Sequence, residues 1–240
     1  MNKVLENFDE YYDKALEVFS QRSVNVDVTH RCLLQCPFCS RQSRLGPDMV
    51  KKSHAYGDLK VEHARDLGNS FGYISLCGQI SDPVYHTDFV KIFKTLLDTS
   101  CKRIDIHTTA SHKKKKFWTD LYDASTETNK HIRFVFGIDG IDEKSSIHRV
   151  NQKPQQALDA MFMGVEYAKK HSHIEISWQY IPFAYNEDDL ETAMATAKEN
   201  NITFILLKSG RFRSDGNLLE PPKNPDLYNT AQFAERQEIT

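Results

Sequence analysis

Apolar and polar residues change their period repeatedly along the chain, and the changes divide it into alternating strands and helices. Val24, Val26 and Val28 alternate with Asn25 and Asp27, which is the two-residue period of a half-buried strand. Over 88–100, Phe89, Ile92, Phe93, Leu96 and Leu97 fall at helical spacing, leaving one face apolar. The same reading predicts strands at 24–28, 73–77, 103–109, 132–138, 175–181 and 203–208. Helices are expected at 58–70, 88–100, 112–124, 154–170 and 187–200, after a further helix near the N-terminus.

This alternation predicts an α/β fold, a parallel sheet with helices on its outer face joined by right-handed crossovers. Six strands fit an incomplete (β/α)6 parallel barrel. The expected organisation is an N-terminal helical extension (1–22), a core barrel (23–208) and an irregular tail (209–240) that holds three prolines and no cysteine. In such folds the loops leaving the C-terminal ends of the strands build the active site. Four of these loops carry chemistry-bearing residues: 32–39, 78–83, 108–111 and 139–149.

Composition narrows the classes. The chain has 240 residues, 40% apolar and 27% charged, with a formal net charge of −2, so it exerts no general pull on nucleic acid or an anionic membrane. No apolar run approaches the roughly 18 residues of a membrane span, and MNKVLENFDEYYDKAL has no signal-type apolar region. A cytoplasmic protein is expected, with no membrane partner. Lys113 to Lys116 form the one sharp basic run; a solvated helix face is its ordinary explanation, and nucleic acid is not the expected partner.

Five cysteines is an odd number, and HRCLLQCPFCS packs Cys32, Cys36 and Cys39 into eight positions, too tightly for a disulfide framework in a chain of this length. Soft thiolate ligands suit zinc or an iron–sulfur cluster. Three cysteines with His30 would complete a tetrahedral zinc site in a non-catalytic binding module. Alternatively, three corners of a [4Fe-4S] cube leave the fourth iron open to a ligand with amino and carboxylate groups.

The spacing C-x3-C-x-Phe-C, formed by Cys32, Cys36, Phe38 and Cys39, resembles the signature of the radical SAM superfamily, and later landmarks over about 20–208 recur in that family's order. The resemblance implies a [4Fe-4S] cluster on the three cysteines and S-adenosylmethionine on its open iron. It further implies reductive cleavage of that cofactor to a 5′-deoxyadenosyl radical, which abstracts hydrogen from a peptide or small-molecule substrate, with a flavodoxin- or ferredoxin-type electron donor. Phe38 would line the adenine side. LCGQISDPVYHTDF at 76–89 is similar to the family's G-G-E-P segment, with Asp82 for glutamate and Ile80-Ser81 for the glycine pair. Ser81 and Asp82 are then expected near the methionyl ammonium, and Gly78 at the tight turn. VFGIDGIDEKSSIHRV at 135–150 resembles the family's S-I-D-G strand end, with Gly137 for serine. It offers Asp139 to the ribose and Arg149 to the methionyl carboxylate. A retained cluster without turnover is a further alternative.

Each residue also has a plainer explanation. Asp82-Pro83 reads as a helix-entry cap and Asp139-Gly140 as an ordinary turn. Thr108 and Ser111 could offer hydroxyls to a ligand, though Ser111 reads equally as the N-cap of the next helix. Cys77 ends a strand beside the presumed mouth, where it could meet substrate or simply pack; Cys101 reads as inert and His86 as a loop-fixing residue. Trp178, Tyr180 and Phe183 could shape a pocket or fill the core. With only Cys77 and Cys101 spare, a second four-cysteine cluster from these residues is excluded.

Overall fold

The computed structural model describes residues 22–37, 39, 41, 57–78, 80–210, 212 and 219–231. Phe38 and almost all of the expected N-terminal extension lie outside them. Six strands form one parallel sheet in sequential order: β1 (Ser23–Asn25), β2 (Tyr73–Cys77), β3 (Arg103–Thr108), β4 (His131–Gly137), β5 (Ile174–Tyr180) and β6 (Thr203–Leu206). Between them run α1 (Val61–Ser70), α2 (Phe89–Leu97), α3 (Lys115–Thr126), a single turn α4 (Ser145–His148), α5 (Pro154–Ala168) and α6 (Leu190–Glu199). β1 and β6 are the two edges, so the barrel is open rather than closed.

A sequential parallel order with crossovers of one hand puts every helix on the same face of the sheet. The strand side chains show it. Ile74 and Leu76 of β2, Ile104 and Ile106 of β3, Ile132, Phe134 and Phe136 of β4, and Ile176, Trp178 and Tyr180 of β5 are buried in one core with Ile92, Phe93, Trp118, Leu121, Tyr122, Met161 and Ala193 of the helices. Trp178 and Tyr180 therefore fill the core, each anchored by its polar tip: Trp178 Nε1 donates to Ile138 O at 2.8 Å and Tyr180 Oη to Asn186 O at 2.8 Å. Phe183 sits in a second small cluster with Phe212 and Leu219.

The opposite face is polar. Cross-strand register aligns Tyr73 with Arg103 and His131, Ser75 with Asp105, Arg133 and Glu175, and Cys77 with His107, Val135 and Ser177. Barrel interiors are ordinarily packed with branched apolar residues; Val135 is the one such residue in these rows. Asp105, fully buried, anchors the middle row. It accepts from Tyr73 Oη at 2.9 Å and Arg103 Nε at 2.8 Å, and Arg133 Nη2 lies 2.6 Å away. Burial alone would push its carboxyl up, but the Arg103 hydrogen bond and the Arg133 charge override it and hold it below the usual carboxylate range.

Of the boundaries that moved, two are traced to local geometry. The helix expected at 112–124 begins only at Lys115, because Ala110 and His112 have φ of 54° and 61°, a left-handed conformation that cannot continue into a right-handed helix. Ser111 is consequently no N-cap: its hydroxyl accepts from Lys153 N at 3.0 Å instead. The strand expected at 24–28 ends at Asn25, though Val26 N still reaches Ser75 O at 2.9 Å.

Candidate functional site

The C-terminal ends of β2, β3, β4 and β5 open onto one cleft of about 200 Å3, lined by Cys32, Cys36, Cys39, Cys77, Gly78, Ser81, Asp82, His107, Thr108, Thr109, Gly137, Arg149 and Gln179 among others. All three cysteines of the motif are there, as are four of the six residues expected to contact S-adenosylmethionine, Gly78, Ser81, Asp82 and Arg149; Asp139 stands behind Arg149, and Phe38 lies outside the described residues.

The cysteine loop is sewn down from both sides. Asp82 N donates to Arg31 O at 3.0 Å, Gln35 N to Val150 O at 3.0 Å and Asn151 Nδ2 to Leu33 O at 3.3 Å. Within the loop Cys39 N closes a turn on Cys36 O at 3.1 Å, and Arg41 Nη1 donates to Cys32 O at 2.9 Å. Burial and the nearby Asp82 charge push the Cys32 thiol up to about 12; burial, opposed by Arg149, pushes Cys36 up to about 11. Both are thiols at neutral pH, so loading a metal must displace protons from them.

His30 points elsewhere: its Nδ1 lies 3.6 Å from Asp58 Oδ1, and Asp58 is held further by Thr29 Oγ1 at 2.8 Å and by Arg31. His86 fixes its loop, with Nε2 2.9 Å from Leu59 O and Nδ1 accepting from Asp88 N at 2.9 Å. Among the described residues, no three His, Cys, Asp or Glu side chains are close enough to grip a single ion. One zinc ion holds its sulfurs at about 2.3 Å each, whereas a cube spreads three cysteines over three iron corners.

The loop after β2 is tight. A Cβ on Gly78 would lie 1.8 Å from Ser81 O, so only glycine admits this turn. Ser81 Oγ donates to Asp27 Oδ1 at 2.6 Å. Asp82 caps the 3-10 turn Pro83–Tyr85 by accepting from Val84 N at 3.3 Å, and its other oxygen takes three bonds from the next loop: Thr108 Oγ1 at 3.1 Å, Thr109 N at 2.8 Å and Thr109 Oγ1 at 2.8 Å. Burial nevertheless leaves its carboxyl above the ordinary value. The carboxylate latches the β2 loop to the β3 loop, which the cap reading captured only in part.

After β4, Arg149 grips Asp139 with two nitrogens, Nε at 2.9 Å from Oδ2 and Nη2 at 3.1 Å from Oδ1. Asp139 also faces His148 Nδ1 at 2.8 Å and accepts from Ile181 N at 3.0 Å. It is fully buried and Arg149 nearly so; burial would raise the Asp139 carboxyl, but the Arg149 charge and the His148 bond hold it low. Gly137 makes room for this pair: a Cβ there would lie 2.9 Å from Arg149 Nη2 and 3.0 Å from Cζ. The glycine standing where the resemblance expects serine is thus a seat for the guanidinium.

Several site residues escaped sequence reading. Thr109, His107 and Gln179 line the cleft; the two-residue period of β3 and β5 would have placed His107 and Gln179 on the inner face. Burial pushes the His107 imidazole below its usual value, with Arg133 adding and Asp105 opposing. Gln152 and Asn186 tie loops together, and nothing local marks them. Of the basic run, Lys113 turns inward over Phe117 and Tyr85, at 4.6 and 5.7 Å from the ring centroids, and Lys116 pairs with Asp120. Cys101 is buried, its Sγ 3.4 Å from Leu96 O.

No family model matches the chain, and no curated protein matches it. Solved structures do. The crystal structure of Streptococcus suis SuiB bound to S-adenosylmethionine is 16% identical, with a TM-score of 0.59 over 99% of this chain and 52% of that one. A second crystal structure of SuiB is 15% identical, with a TM-score of 0.59 over 99% of this chain and 50% of that one. The chain spans about half the length of these structures, and at this identity the likeness is one of fold. Among the described residues no helix is long and apolar enough to cross a membrane.

Proposed function

We propose that the chain is a radical SAM protein that holds a [4Fe-4S] cluster on Cys32, Cys36 and Cys39 and binds S-adenosylmethionine at the mouth of its open sheet. The observation that carries this reading is the meeting of the three cysteines, in a C-x3-C-x-Phe-C loop, with Gly78, Asp82, Gly137 and Arg149 in one cleft at the C-terminal strand ends. The donor set fits the cluster: soft thiolates suit iron and sulfide, and His30, the fourth ligand of a zinc site, lies against Asp58. The fold shared with a protein crystallised with S-adenosylmethionine supports it as well.

When bound, the cluster supplies one electron and an open iron coordination site for reductive cleavage of S-adenosylmethionine to a 5′-deoxyadenosyl radical. The chain's own residues do the rest of the work around that chemistry. Arg149, neutralised by Asp139 and braced on Gly137, keeps its remaining donor edge for the methionyl carboxylate. The backbone at Gly78 and the hydroxyl of Ser81 would hold the ammonium, while Asp82 holds that loop against Thr109 rather than reaching outward. Asp139 acts on the ligand through Arg149. The polar inner face below, with His107, Gln179, Arg133 and Glu175, suits a hydrophilic substrate, a peptide or a small polar molecule, and a flavodoxin- or ferredoxin-type donor would provide the electron.

Metal content tests the donor set. After anaerobic loading with iron and sulfide, the protein and its His30→Ala variant are expected to hold about four irons each with cluster absorbance in the visible, and each single Cys→Ala change in the motif to lose it. Tight zinc lost equally on changing His30 or any of the three cysteines would replace the proposal with the zinc-stabilised binding module.

A further inference from the structure

The cleft walls come from separate loops, and one buried side chain joins the loop after β3 to the end of β4. Gln152 is 3% exposed. Its amide nitrogen donates to Thr109 O at 3.0 Å, in the loop after β3, and to Gly137 O at 2.9 Å, the last residue of β4. Its amide oxygen accepts from Ser145 Oγ at 2.5 Å, and Ser145 Oγ in turn accepts from Asp139 N at 2.8 Å. Its backbone N–H donates to Arg149 O at 2.7 Å. Both amide hydrogens and the amide oxygen are therefore used, each on a different stretch of chain.

What those stretches hold is the point. Thr109 supplies two of the bonds that latch Asp82; Gly137 seats the Arg149 guanidinium; Asp139 is the partner of Arg149; and Val150 and Asn151, next to Gln152, anchor the cysteine loop at Gln35 and Leu33. Ala110, next to Thr109, has a φ of 54°, a left-handed conformation that surrounding structure must enforce on alanine, whereas Asn151, with a φ of 73°, adopts it readily. A side chain of this kind orients the groups that touch ligand without touching it.

We propose that Gln152 is the positioning residue of the cleft, setting the relative placement of the β3 loop, the β4 end and the cysteine loop, and through them the affinity for the ligand. The affinity half of this rests on S-adenosylmethionine being that ligand; the loop coupling does not. Gln152→Met keeps the side chain's length and removes its three hydrogen bonds. Tyr122→Phe is the control, since it removes one buried bond, from Tyr122 Oη to Ala160 O at 2.8 Å, inside the helix-covered core.

The experiment measures amide hydrogen exchange and S-adenosylmethionine binding on the cluster-loaded proteins. In Gln152→Met, exchange at 108–111 and 138–140 is expected to rise together by at least about tenfold while α2 and α3 keep their protection. The dissociation constant is expected to rise about 10–100-fold, the scale on which supporting contacts tune a site. Tyr122→Phe should leave both within about twofold. Loops that exchange as in the parent, loosening that extends equally to α2 and α3, or loosened loops with unchanged affinity would each overturn the proposal. If the parent protein binds no S-adenosylmethionine, the functional reading fails and the paired exchange alone decides the coupling. Should the Met variant not fold, Gln152→Asn, one methylene short of reaching both carbonyls, replaces it with the same expected pattern.

Discussion

Replacing Arg149 by leucine probes the electrostatic centre of the cleft without reference to any ligand. The change removes the guanidinium's Nη2 hydrogen bond and its Nε ion-pair contact with Asp139 and leaves a fully buried carboxylate. Breaking a buried pair in this way costs about 3–5 kcal/mol, because the remaining charge is neither solvated nor balanced. His148 Nδ1 at 2.8 Å and Ile181 N at 3.0 Å stay in place, so the lower end applies, about 3 kcal/mol. For a chain of this size that is a fall in Tm of about 6–12 °C. The pH dependence follows from the direction of the shift. In the parent protein Arg149 and His148 hold the Asp139 carboxyl below its ordinary value, so the pair's stabilisation is present above the unfolded pKa near 4 and disappears as pH falls through the folded one. In the variant the unpaired carboxyl rises and takes up a proton as the pH is lowered, which relieves the burial penalty. The gap between the two proteins, read from urea denaturation, should narrow from pH 7 to pH 4, and adding Asp139→Asn should recover about 2 kcal/mol at pH 7. A gap under about 1 kcal/mol, or one independent of pH, would refute the assignment of a buried, charged pair.

Asp105→Asn should cost about 3 kcal/mol at neutral pH, because Arg103 and Arg133 then face each other with no carboxylate between them; the loss should begin to shrink below the usual carboxylate pKa, where the unfolded parent's carboxyl takes up a proton while the depressed folded one stays charged, and urea titrations at pH 7 and pH 3.5 measure it. Gly78→Ala puts a methyl where Ser81 O lies 1.8 Å away, so the β2 loop must move, and S-adenosylmethionine affinity by equilibrium dialysis should fall while the helix-covered core keeps its exchange protection. Cys101→Ala should leave iron content unchanged, being buried against Leu96 and away from the cleft, whereas Cys39→Ala should abolish cluster absorbance.

The parts of this molecule that local periodicity controls were readable in advance. β1 ends three residues early, but all six strands begin within one residue of the expected position, because a two-residue alternation such as Ile74-Leu76 against Ser75-Cys77 is both the signal for a strand and the cause of its burial. The C-terminal location of the cysteine loop and of Gly78 followed from strand order. What escaped depends on which loops meet. Nothing near position 137 says that an arginine twelve residues later will lie on its backbone, and nothing near Gln152 says that its amide will join Thr109 to Gly137. Ser111 shows the same limit from the other side: a good cap by composition, it is taken by Lys153 N once positive φ at Ala110 and His112 delays the helix. By sequence Trp178 and Tyr180 suit pocket and core equally; the register of β4 with β5, which puts Gln179 on the cleft side, decides for the core.

The most direct test of the account is formation of 5′-deoxyadenosine. The protein is loaded anaerobically with iron and sulfide, reduced, and given S-adenosylmethionine, with Cys36→Ala treated identically. The account expects 5′-deoxyadenosine and methionine from the parent protein and neither from the variant. A protein that takes up zinc and forms no cluster, or one whose intact cluster releases no 5′-deoxyadenosine, would contradict it.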